Sequence, residues 1–309
     1  MRRLLVLLGL YAIVSTCLLL FLLTPEEAVK WQPQSTSQKC RCENKVPSTM
    51  QSTHRLEKVF TDVVKAQKSN HKLAIVVPYR NRLAELLEFV PHIHTYLTKK
   101  KINFQIFIID QFDVFRFNRG ALIDVGFVVA REAGCDYMAM HDVDLLPLNL
   151  ELDYGFPAKG PFHVAAPHLH PKYHYKTFIG GIVIMTQEQF EKVNGLSTRY
   201  WGWGREDDEF YRRLGDAGYK VVRPGNLTTG PSNTFRHLHN DKLRKRDYKR
   251  IGAQRQVQWQ RDRKTGLSTI AREHRVVNTH ELSAGGHDFQ MVTVELHCDV
   301  KQTPWCEDK

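Results

Sequence analysis

Leu73-Ala74-Ile75-Val76-Val77 is a continuous apolar run, and Pro78-Tyr79-Arg80-Asn81-Arg82 follows it directly. A run without polar alternation is typical of a strand that is buried on both faces, as in a parallel sheet. Apolar periodicity then predicts alternating elements: a helix over 83–97, a strand over 104–110, a helix over 118–133 and a strand over 137–140. This order predicts an α/β domain whose first half is a parallel sheet with right-handed crossovers.

Charged side chains follow the predicted strands, namely Arg80, Arg82, Asp110, Asp142 and Asp144. Open α/β sheets bind ligands beyond the carboxyl ends of their strands, so these residues are expected to face a ligand. No Gly-x-Gly-x-x-Gly follows the first strand, which disfavours a dinucleotide-binding fold. The arginines there indicate instead that bidentate side chains hold a phosphate.

The second half of the chain is less regular. Residues 157–175 are rich in His, Pro and Tyr and are predicted to form a surface loop with short strands. A buried strand over 182–185, a short helix over 187–193 and a strand over 219–222 are expected next. The basic run from Lys242 to Arg250 fits either a solvated helix face or an attraction for acidic substrate or phosphate.

Two tryptophans alternate with two glycines in Trp201-Gly202-Trp203-Gly204, and Arg205-Glu206-Asp207-Asp208-Glu209 follows. Large aromatic rings in a loop are typical of binding, and indole faces suit a sugar ring. The acids open a helix predicted over 207–217, where the helix dipole favours their ionised form. First-turn acids are common without any function, but beside an aromatic platform a carboxylate can take a proton from a sugar hydroxyl.

Two short motifs offer ligands for a divalent cation. Asp142-Val143-Asp144 follows the strand over 137–140, and His237-Leu238-His239 repeats the same spacing. Side chains two residues apart on a strand point the same way, so each pair can address one ion. Either pair alone is a weak signal, because loop acids and surface histidine pairs are common. Together, one aspartate and two imidazoles suit Mn²⁺, a Lewis acid for a departing diphosphate.

The N-terminal segment predicts a membrane anchor. Residues 4–23 form an apolar run long enough to span a bilayer, after a short basic tail of residues 1–3. The positive-inside rule then makes the tail cytosolic and the rest of the chain lumenal. A cleaved signal peptide is the alternative, although the run is long and lacks a small-x-small cleavage site. Residues 24–70 are predicted to be a stem with a candidate helix over 53–68, and 71–309 the catalytic domain.

The net charge of +11 predicts acidic partners, and the chain carries no nucleic-acid-binding motif. Acidic carbohydrate or nucleotide is therefore favoured. Cys298 and Cys306 bracket the C-terminal segment and could form a disulfide in an oxidising lumen. Asn226 begins the one usable glycosylation sequon, which is a weak signal. No serine elbow occurs and no base adjoins Cys135, so a covalent nucleophile is not expected.

Five motifs occur in a fixed order: Pro78-Tyr79-Arg80-Asn81-Arg82, Phe117-Asn118-Arg119, Asp142-Val143-Asp144, Gly180-Gly181 and Trp201-Gly202-Trp203-Gly204-x-Glu206-Asp207-Asp208. Over residues 73–239 the chain thus resembles the β-1,4-galactosyltransferase family of Golgi enzymes. Most of that family completes its metal site with a Met and a His three residues apart, whereas this chain has His237-x-His239. That variant, with Tyr173-His174-Tyr175, is similar to the xylosylprotein branch, which adds galactose to xylose in the proteoglycan linkage region.

The resemblance implies a GT-A fold, which is a Rossmann-like mixed sheet, and a role for each motif. Mn²⁺ would be held by Asp144, His237 and His239. UDP-galactose would contact Pro78, Arg80, Arg82, Phe117, Arg119, Asp142, Val143, Tyr173 and Trp203. The acceptor would contact Tyr175, Trp203, Gly204, Arg205, Glu206, Asp207 and Asp208. Asp207 would be the catalytic base, its two acidic neighbours would orient sugar hydroxyls, and the tryptophan loop would close over the donor.

The implied reaction is an inverting, Mn²⁺-dependent transfer of galactose from UDP-galactose to O4 of β-linked xylose on proteoglycan core proteins. The implied location is the Golgi membrane, as a single-pass type II protein. An enzyme of the same family that acts on N-acetylglucosamine or glucose is one alternative, because acceptor choice depends on pocket size more than on motifs. A metal-dependent membrane lectin would leave the arginines at the strand ends unexplained, and a nucleotide-sugar hydrolase would release free galactose.

Overall fold

The structure, a computed structural model, describes residues 71–307, so the predicted tail, anchor and stem lie outside the described residues. Its strands are β1 (Leu73–Tyr79), β2 (Phe104–Gln111), β3 (Tyr137–His141), β4 (Leu145–Pro147), β5 (Phe162–His163), β6 (Ile182–Thr186), β7 (Phe235–His237), β8 (His274–Ala284) and β9 (His287–Leu296). Seven of them form one sheet in the order β5-β6-β3-β1-β2-β9-β8, and β4 and β7 form a small second sheet. No helix within 71–307 is long and apolar enough to cross a membrane.

The helices are α1 (Leu83–Lys99), α2 (Arg119–Glu132), α3 (Gln187–Lys192), α4 (Glu206–Asp216), α5 (Gln254–Val257) and α6 (Leu267–Glu273). The crossovers from β1 to β2 and from β2 to β3 contain α1 and α2, and β1 pairs in parallel with both β2 and β3. The predicted parallel first half is therefore confirmed. The sheet is mixed because β6, β5 and β8 run antiparallel to their neighbours.

The central strand β1 is buried on both faces, which is why it needs an unbroken apolar run. Leu73, Ile75 and Val77 belong to the core cluster that contains the apolar face of α1. Ala74 and Val76 belong to the cluster on the other side, which contains the apolar residues of α2. The two clusters sandwich the sheet and fix the edge at which its strands end.

Gly126 lets α2 approach this strand closely. A Cβ at Gly126 would lie 2.2 Å from Val76 Cγ1 and 3.1 Å from Ile109 Cγ1. We expect Gly126→Ala to lower the free energy of unfolding by roughly 1–3 kcal/mol, because the helix would have to move off the sheet. Gly215 in α4 is the matched control, since nothing lies within 4 Å of its added Cβ. Gly215→Ala should raise stability by up to about 1 kcal/mol. Urea unfolding of both variants checks this, and equal shifts would contradict it.

Two predictions for the second half need correction. Residues 157–175 contain the short strand β5, as expected, but they are not a surface loop, because Val164, Ala165 and Leu169 are buried in the core. Residues 219–222 form no strand: only Val222 bridges Phe162, since β5 is too short to extend the pairing. The basic run from Lys242 to Arg250 is not helical, which excludes the helix face that was one of its two interpretations. The β8–β9 hairpin, which extends the sheet beyond β2, was not predicted at all.

The C-terminal segment is fastened to the domain. Cys298 and Cys306 are joined by a disulfide. Arg116 donates from its backbone N–H to the Cys306 carbonyl at 2.8 Å and from Nη1 to the Trp305 carbonyl at 2.9 Å. The same buried guanidinium bonds Asp247 Oδ2 at 2.6 Å. It therefore ties the end of the chain to the basic run. Asn226 is exposed, so carbohydrate could reach it, and its glycosylation stays a prediction.

Candidate active site

A cavity of about 1020 Å³ lies where β1 and β3 end, and it brings all the predicted donor, acceptor and metal residues together. Its walls include Pro78, Arg80, Arg82, Phe117, Arg119, Asp142, Val143, Asp144, Tyr173, Tyr175, Trp203, Gly204, Arg205, Glu206, Asp207, Asp208, His237 and His239. Asp110 does not line the cavity, because β2 lies on the far side of β1 from β3. The roles assigned to the lining residues stay predictions.

The two candidate metal motifs meet through the small second sheet. Leu145 of β4 pairs with His237 of β7, and the Leu238 N–H donates to the Asp144 carbonyl at 2.7 Å. His239 Nδ1 lies 3.5 Å from Asp144 Oδ2, and His237 Nε2 lies 4.0 Å from Asp144 Oδ1. The antiparallel register therefore places one carboxylate against both imidazoles.

The chemistry of these three side chains suits a divalent cation. Burial opposes ionisation of Asp144, but the nearby His239, His237 and Arg82 outweigh it and lower the pKa of the carboxyl. Burial lowers the pKa of His237, so its imidazole is neutral and can act as a ligand.

Their spacing is slightly wide for a bound ion. No group of three or more His, Cys, Asp or Glu side chains among residues 71–307 is arranged to hold a metal as it stands. Ligand atoms at about 2.1 Å from an octahedral ion are about 3.0 Å apart, so the observed separations would have to shrink by about 1 Å or less. The kinds of side chain, one carboxylate and two imidazoles, fit the predicted Mn²⁺ site.

Asp241, which no motif indicated, orients one of these imidazoles. Its Oδ1 lies 2.9 Å from His239 Nε2, while His239 Nδ1 faces Asp144. With the proton on Nε2 donated to Asp241, Nδ1 keeps its lone pair on the side of the predicted ion, a common arrangement for metal-binding histidines.

We therefore expect Asp241→Ala to weaken Mn²⁺ binding about tenfold, because the ring loses the partner that sets its tautomer and orientation. Titration of the protein with Mn²⁺, followed by the electron paramagnetic resonance signal of the free ion, measures this. Glu188→Ala removes an exposed acid from α3 and should leave Mn²⁺ affinity unchanged. Equal affinities for the two variants would refute the role of Asp241.

The arginines differ in what they are free to bind. Arg119 donates from Nε and Nη2 to Asp142 Oδ1 at 2.9 and 2.7 Å, and its Nη1 lies 3.9 Å from Glu206 Oε1. Arg80 directs its donors mainly at the carbonyls of Gln111, Asp113 and Phe115 and so braces that loop. Arg119 is therefore the guanidinium that joins the two acidic parts of the cavity.

Asp207 is a carboxyl whose protonation can change near neutral pH. Burial, together with the adjacent charges of Glu206 and Asp208, raises the pKa of Asp207 to about 7. Burial also raises the pKa of Glu206, whose Oε2 has no hydrogen-bond partner among the described atoms. A polar ligand hydroxyl would satisfy that buried oxygen. A proton acceptor and a hydroxyl-binding carboxylate thus lie side by side at the start of α4.

Only one of the two tryptophans faces the cavity, contrary to the expectation for the pair. Trp201 is 3% exposed and packs against Phe115 in the core. Trp203 is 38% exposed. Its backbone N–H donates to the Asp247 carbonyl at 2.9 Å, and its carbonyl accepts from Arg250 Nη2 at 3.1 Å. The basic run therefore holds the aromatic platform in place.

Motif reasoning missed much of the remaining wall, which includes His170, Phe178, Tyr211, Arg212, Lys245, Arg246, Asp247, Arg250 and Trp259. The one available signal was the basic run, for which attraction to acidic ligands was one of two interpretations. Three of its cationic side chains line the cavity, which favours that interpretation. A wall with basic side chains, a carboxylate close to two imidazoles and a carboxyl with a raised pKa line one cavity with an exposed aromatic ring, and this combination suits group transfer from a phosphate donor to a hydroxyl.

Two family models match the chain. The N-terminal region of glycosyl transferase group 7 matches residues 29–155, and the N-terminal domain of galactosyltransferase matches residues 160–238. Together they take in more than half of the sequence.

Several known proteins are similar over most of their length. β-1,4-Galactosyltransferase 7 of Mus musculus is 55% identical over 236 residues, 76% of this chain and 71% of that protein. The xylosylprotein 4-β-galactosyltransferase of Caenorhabditis elegans is 44% identical over 262 residues, 84% of this chain and 90% of that protein. A crystal structure of a Drosophila β-1,4-galactosyltransferase 7 mutant with manganese, UDP-Gal and xylobiose has a TM-score of 0.75 at 47% identity. The match covers 77% of this chain and 100% of that one.

Proposed function

The chain belongs to the β-1,4-galactosyltransferase family, and we propose that it transfers galactose from UDP-galactose to O4 of β-linked xylose on proteoglycan core proteins, with Mn²⁺ as cofactor. The observation that carries this is Asp207, which lies beside Glu206 and Asp208 in a cavity that also holds Arg119, Asp142 and Asp144. We call the part of the cavity around Arg119 and Asp144 the donor end and the part around Asp207 the acceptor end. The similarity to enzymes named for xylosylprotein, one of them solved with manganese, UDP-Gal and xylobiose, supports the same donor and acceptor.

The donor end binds and orients UDP-galactose. Asp144, His237 and His239 would hold Mn²⁺, which supplies Lewis-acid stabilisation of the leaving diphosphate. Arg82 lies close enough to lower the pKa of Asp144, so its positive charge reaches the same place. Arg119 holds Asp142 by two hydrogen bonds and keeps that wall fixed while the donor binds.

The acceptor end carries the proton transfer. Asp207 takes the proton from xylose O4 as that oxygen bonds to galactose C1, and the bond from C1 to the UDP oxygen breaks on the opposite face. The configuration at C1 is therefore inverted, and no covalent intermediate with the protein forms. Trp203 offers an apolar face to the sugars, and Glu206 Oε2 accepts a hydrogen bond from a sugar hydroxyl. Rate enhancement comes mainly from positioning and electrostatics.

The direct test is galactose transfer by the full-length chain with UDP-galactose and Mn²⁺, using a β-xyloside and N-acetylglucosamine in parallel. Transfer to the xyloside alone is the expected result. Transfer to N-acetylglucosamine would keep the family and refute the xylose acceptor. Release of free galactose without any acceptor would refute a transferase and indicate a hydrolase. If the chain binds UDP but shows neither transfer nor hydrolysis, the proposed enzyme activity is refuted and only nucleotide binding is supported.

We place this enzyme in the Golgi membrane with its catalytic domain, residues 71–309, in the lumen. The support is the apolar run at 4–23 and the basic residues before it. The disulfide between Cys298 and Cys306 agrees with an oxidising compartment.

A further inference from the structure

The helix that carries Asp207 extends the cavity wall beyond the reacting atoms. Two pairs of residues spaced four apart on α4 line the cavity: Asp207 with Tyr211, and Asp208 with Arg212. Residues with this spacing share one helix face, and one turn advances about 5.4 Å along the axis. Because Glu206 at the start of α4 meets Arg119 at the donor end, Tyr211 and Arg212 lie on the side away from the donor.

Trp259 completes this side of the cavity. Arg212 Nη1 donates to the Trp259 carbonyl at 3.2 Å, and the Arg205 guanidinium carbon lies 3.3 Å from the centroid of the Trp259 ring. Trp259 as a residue is nevertheless 55% exposed, so it also offers an apolar surface to solvent. Arg250, whose Nη2 bonds the Trp203 carbonyl, borders the same part of the cavity. We refer to Arg205, Arg212, Arg250 and Trp259 as the rim cluster.

Two of the three arginines in the rim cluster have no close carboxylate partner among the described residues. Among residues 71–307, no carboxylate lies within 4.0 Å of Arg212 or Arg250, whose observed bonds go to backbone carbonyls. Arg205 has one carboxylate neighbour, Asp208 Oδ2, at 3.9 Å. Three guanidinium groups around an exposed indole thus leave donors that suit carboxylates of a ligand.

We propose that the rim cluster binds the polypeptide that carries the acceptor xylose and prefers acidic residues on either side of the xylosylated residue. This rests on the proposed function. O4, which gives its proton to Asp207, and C1, which bears the protein, lie at opposite ends of the xylose ring. The polypeptide must therefore leave the ring on the side away from O4, and the rim cluster borders the cavity about one turn of α4 beyond Asp207 and Asp208. Its carboxylates meet the arginines there, and its apolar atoms contact Trp259.

The test compares kcat/KM of the full-length chain for three acceptors: methyl β-xyloside, a β-xylosylated peptide with glutamates on both sides of the sugar, and the same peptide with glutamines. We expect the acidic peptide to exceed the neutral one about fivefold, the effect of a few exposed charge pairs. This ratio should fall towards one at high salt, because exposed charges are screened. Arg212→Gln should reduce the ratio at least twofold.

Arg131→Gln is the matched control, because Arg131 is an exposed arginine of α2 that pairs with Glu191 and does not line the cavity. It should keep the ratio of the unmodified chain. A ratio near one in the unmodified chain, or one that does not respond to salt, overturns the proposal even if Arg212→Gln folds poorly. Absence of transfer to methyl β-xyloside would instead refute the proposed function. Transfer to that acceptor without acidic preference would refute only the rim cluster.

Discussion

Replacing Asp207 by asparagine should reduce galactose transfer by about 10²–10⁴-fold, the usual contribution of a positioned general base. The amide cannot take a proton from the acceptor hydroxyl, but it keeps the shape of the cavity. Binding of UDP in the presence of Mn²⁺, measured by calorimetry, should persist, because the donor end lies at Arg119 and Asp144. Unimpaired turnover would exclude Asp207 as the base.

The pH dependence gives an independent signature of the same residue. Burial and its acidic neighbours raise the pKa of Asp207 to about 7, so the carboxyl is protonated and inactive at lower pH. In the plot of kcat/KM against pH, the activity should therefore fall below about pH 7. The residual activity of Asp207→Asn should not show this fall. A limb near pH 4 would contradict the assignment.

Unfolding should not explain the loss. The pKa of Asp207 is higher in the folded protein than in the unfolded chain. Its ionisation therefore destabilises the folded state as the pH rises from the ordinary pKa of 3.8 to about 7. Removing that charge should leave the melting temperature at pH 8 unchanged or slightly higher. Asp216→Asn, at the other end of the same helix and paired with Arg261, is the matched control and should retain full transfer.

Removing His239 should have the second large effect. We expect His239→Ala to raise the Mn²⁺ concentration for half-maximal activity by more than about 100-fold, since loss of a direct ligand exceeds the tenfold or greater effect of losing its supporting partner. Direct Mn²⁺ binding, followed by electron paramagnetic resonance of the free ion, should weaken in parallel.

The side chain of His239 is 2% exposed, so its truncation also leaves a cavity. His239→Gln preserves most of the volume and should show the same loss of metal affinity with a smaller loss of stability. His280→Ala on the exposed strand β8 removes a histidine without touching the site. An unchanged Mn²⁺ titration in both His239 variants would exclude it as a ligand.

The first half of the fold was predictable because its central strand must be apolar on both faces. β1 lies between two apolar layers, so Leu73 to Val77 must all be apolar, and the alternation of strand and helix then determines the crossovers. The candidate site was largely predictable for a related reason. Residues just after parallel strands converge at one edge, and Arg80, Asp142 and Asp144 all reach the cavity.

The remaining parts depend on tertiary partners that local patterns do not reveal. Trp201 and Trp203 belong to the same short motif, yet one is packed in the core and the other faces the cavity. Residues 157–175 look polar, but His163 is buried with Nε2 bonded to the Gly180 carbonyl at 2.9 Å. Trp259 belongs to no motif, and only the folded chain brings it to Arg205. Asp241 is only two residues from His239, but its spacing does not reveal that its carboxylate turns back to the imidazole.

The attachment of the C-terminus through Arg116 has a consequence for the position of Trp203. The Trp305 and Cys306 carbonyls and Asp247 share this one buried arginine, and the Asp247 carbonyl in turn supports Trp203. Trp305 and Cys306 therefore support the position of Trp203, although neither of them lines the cavity. A version of the chain shortened before Trp305 would keep every residue that lines the cavity and still lose two of the hydrogen bonds that hold Arg116 in place.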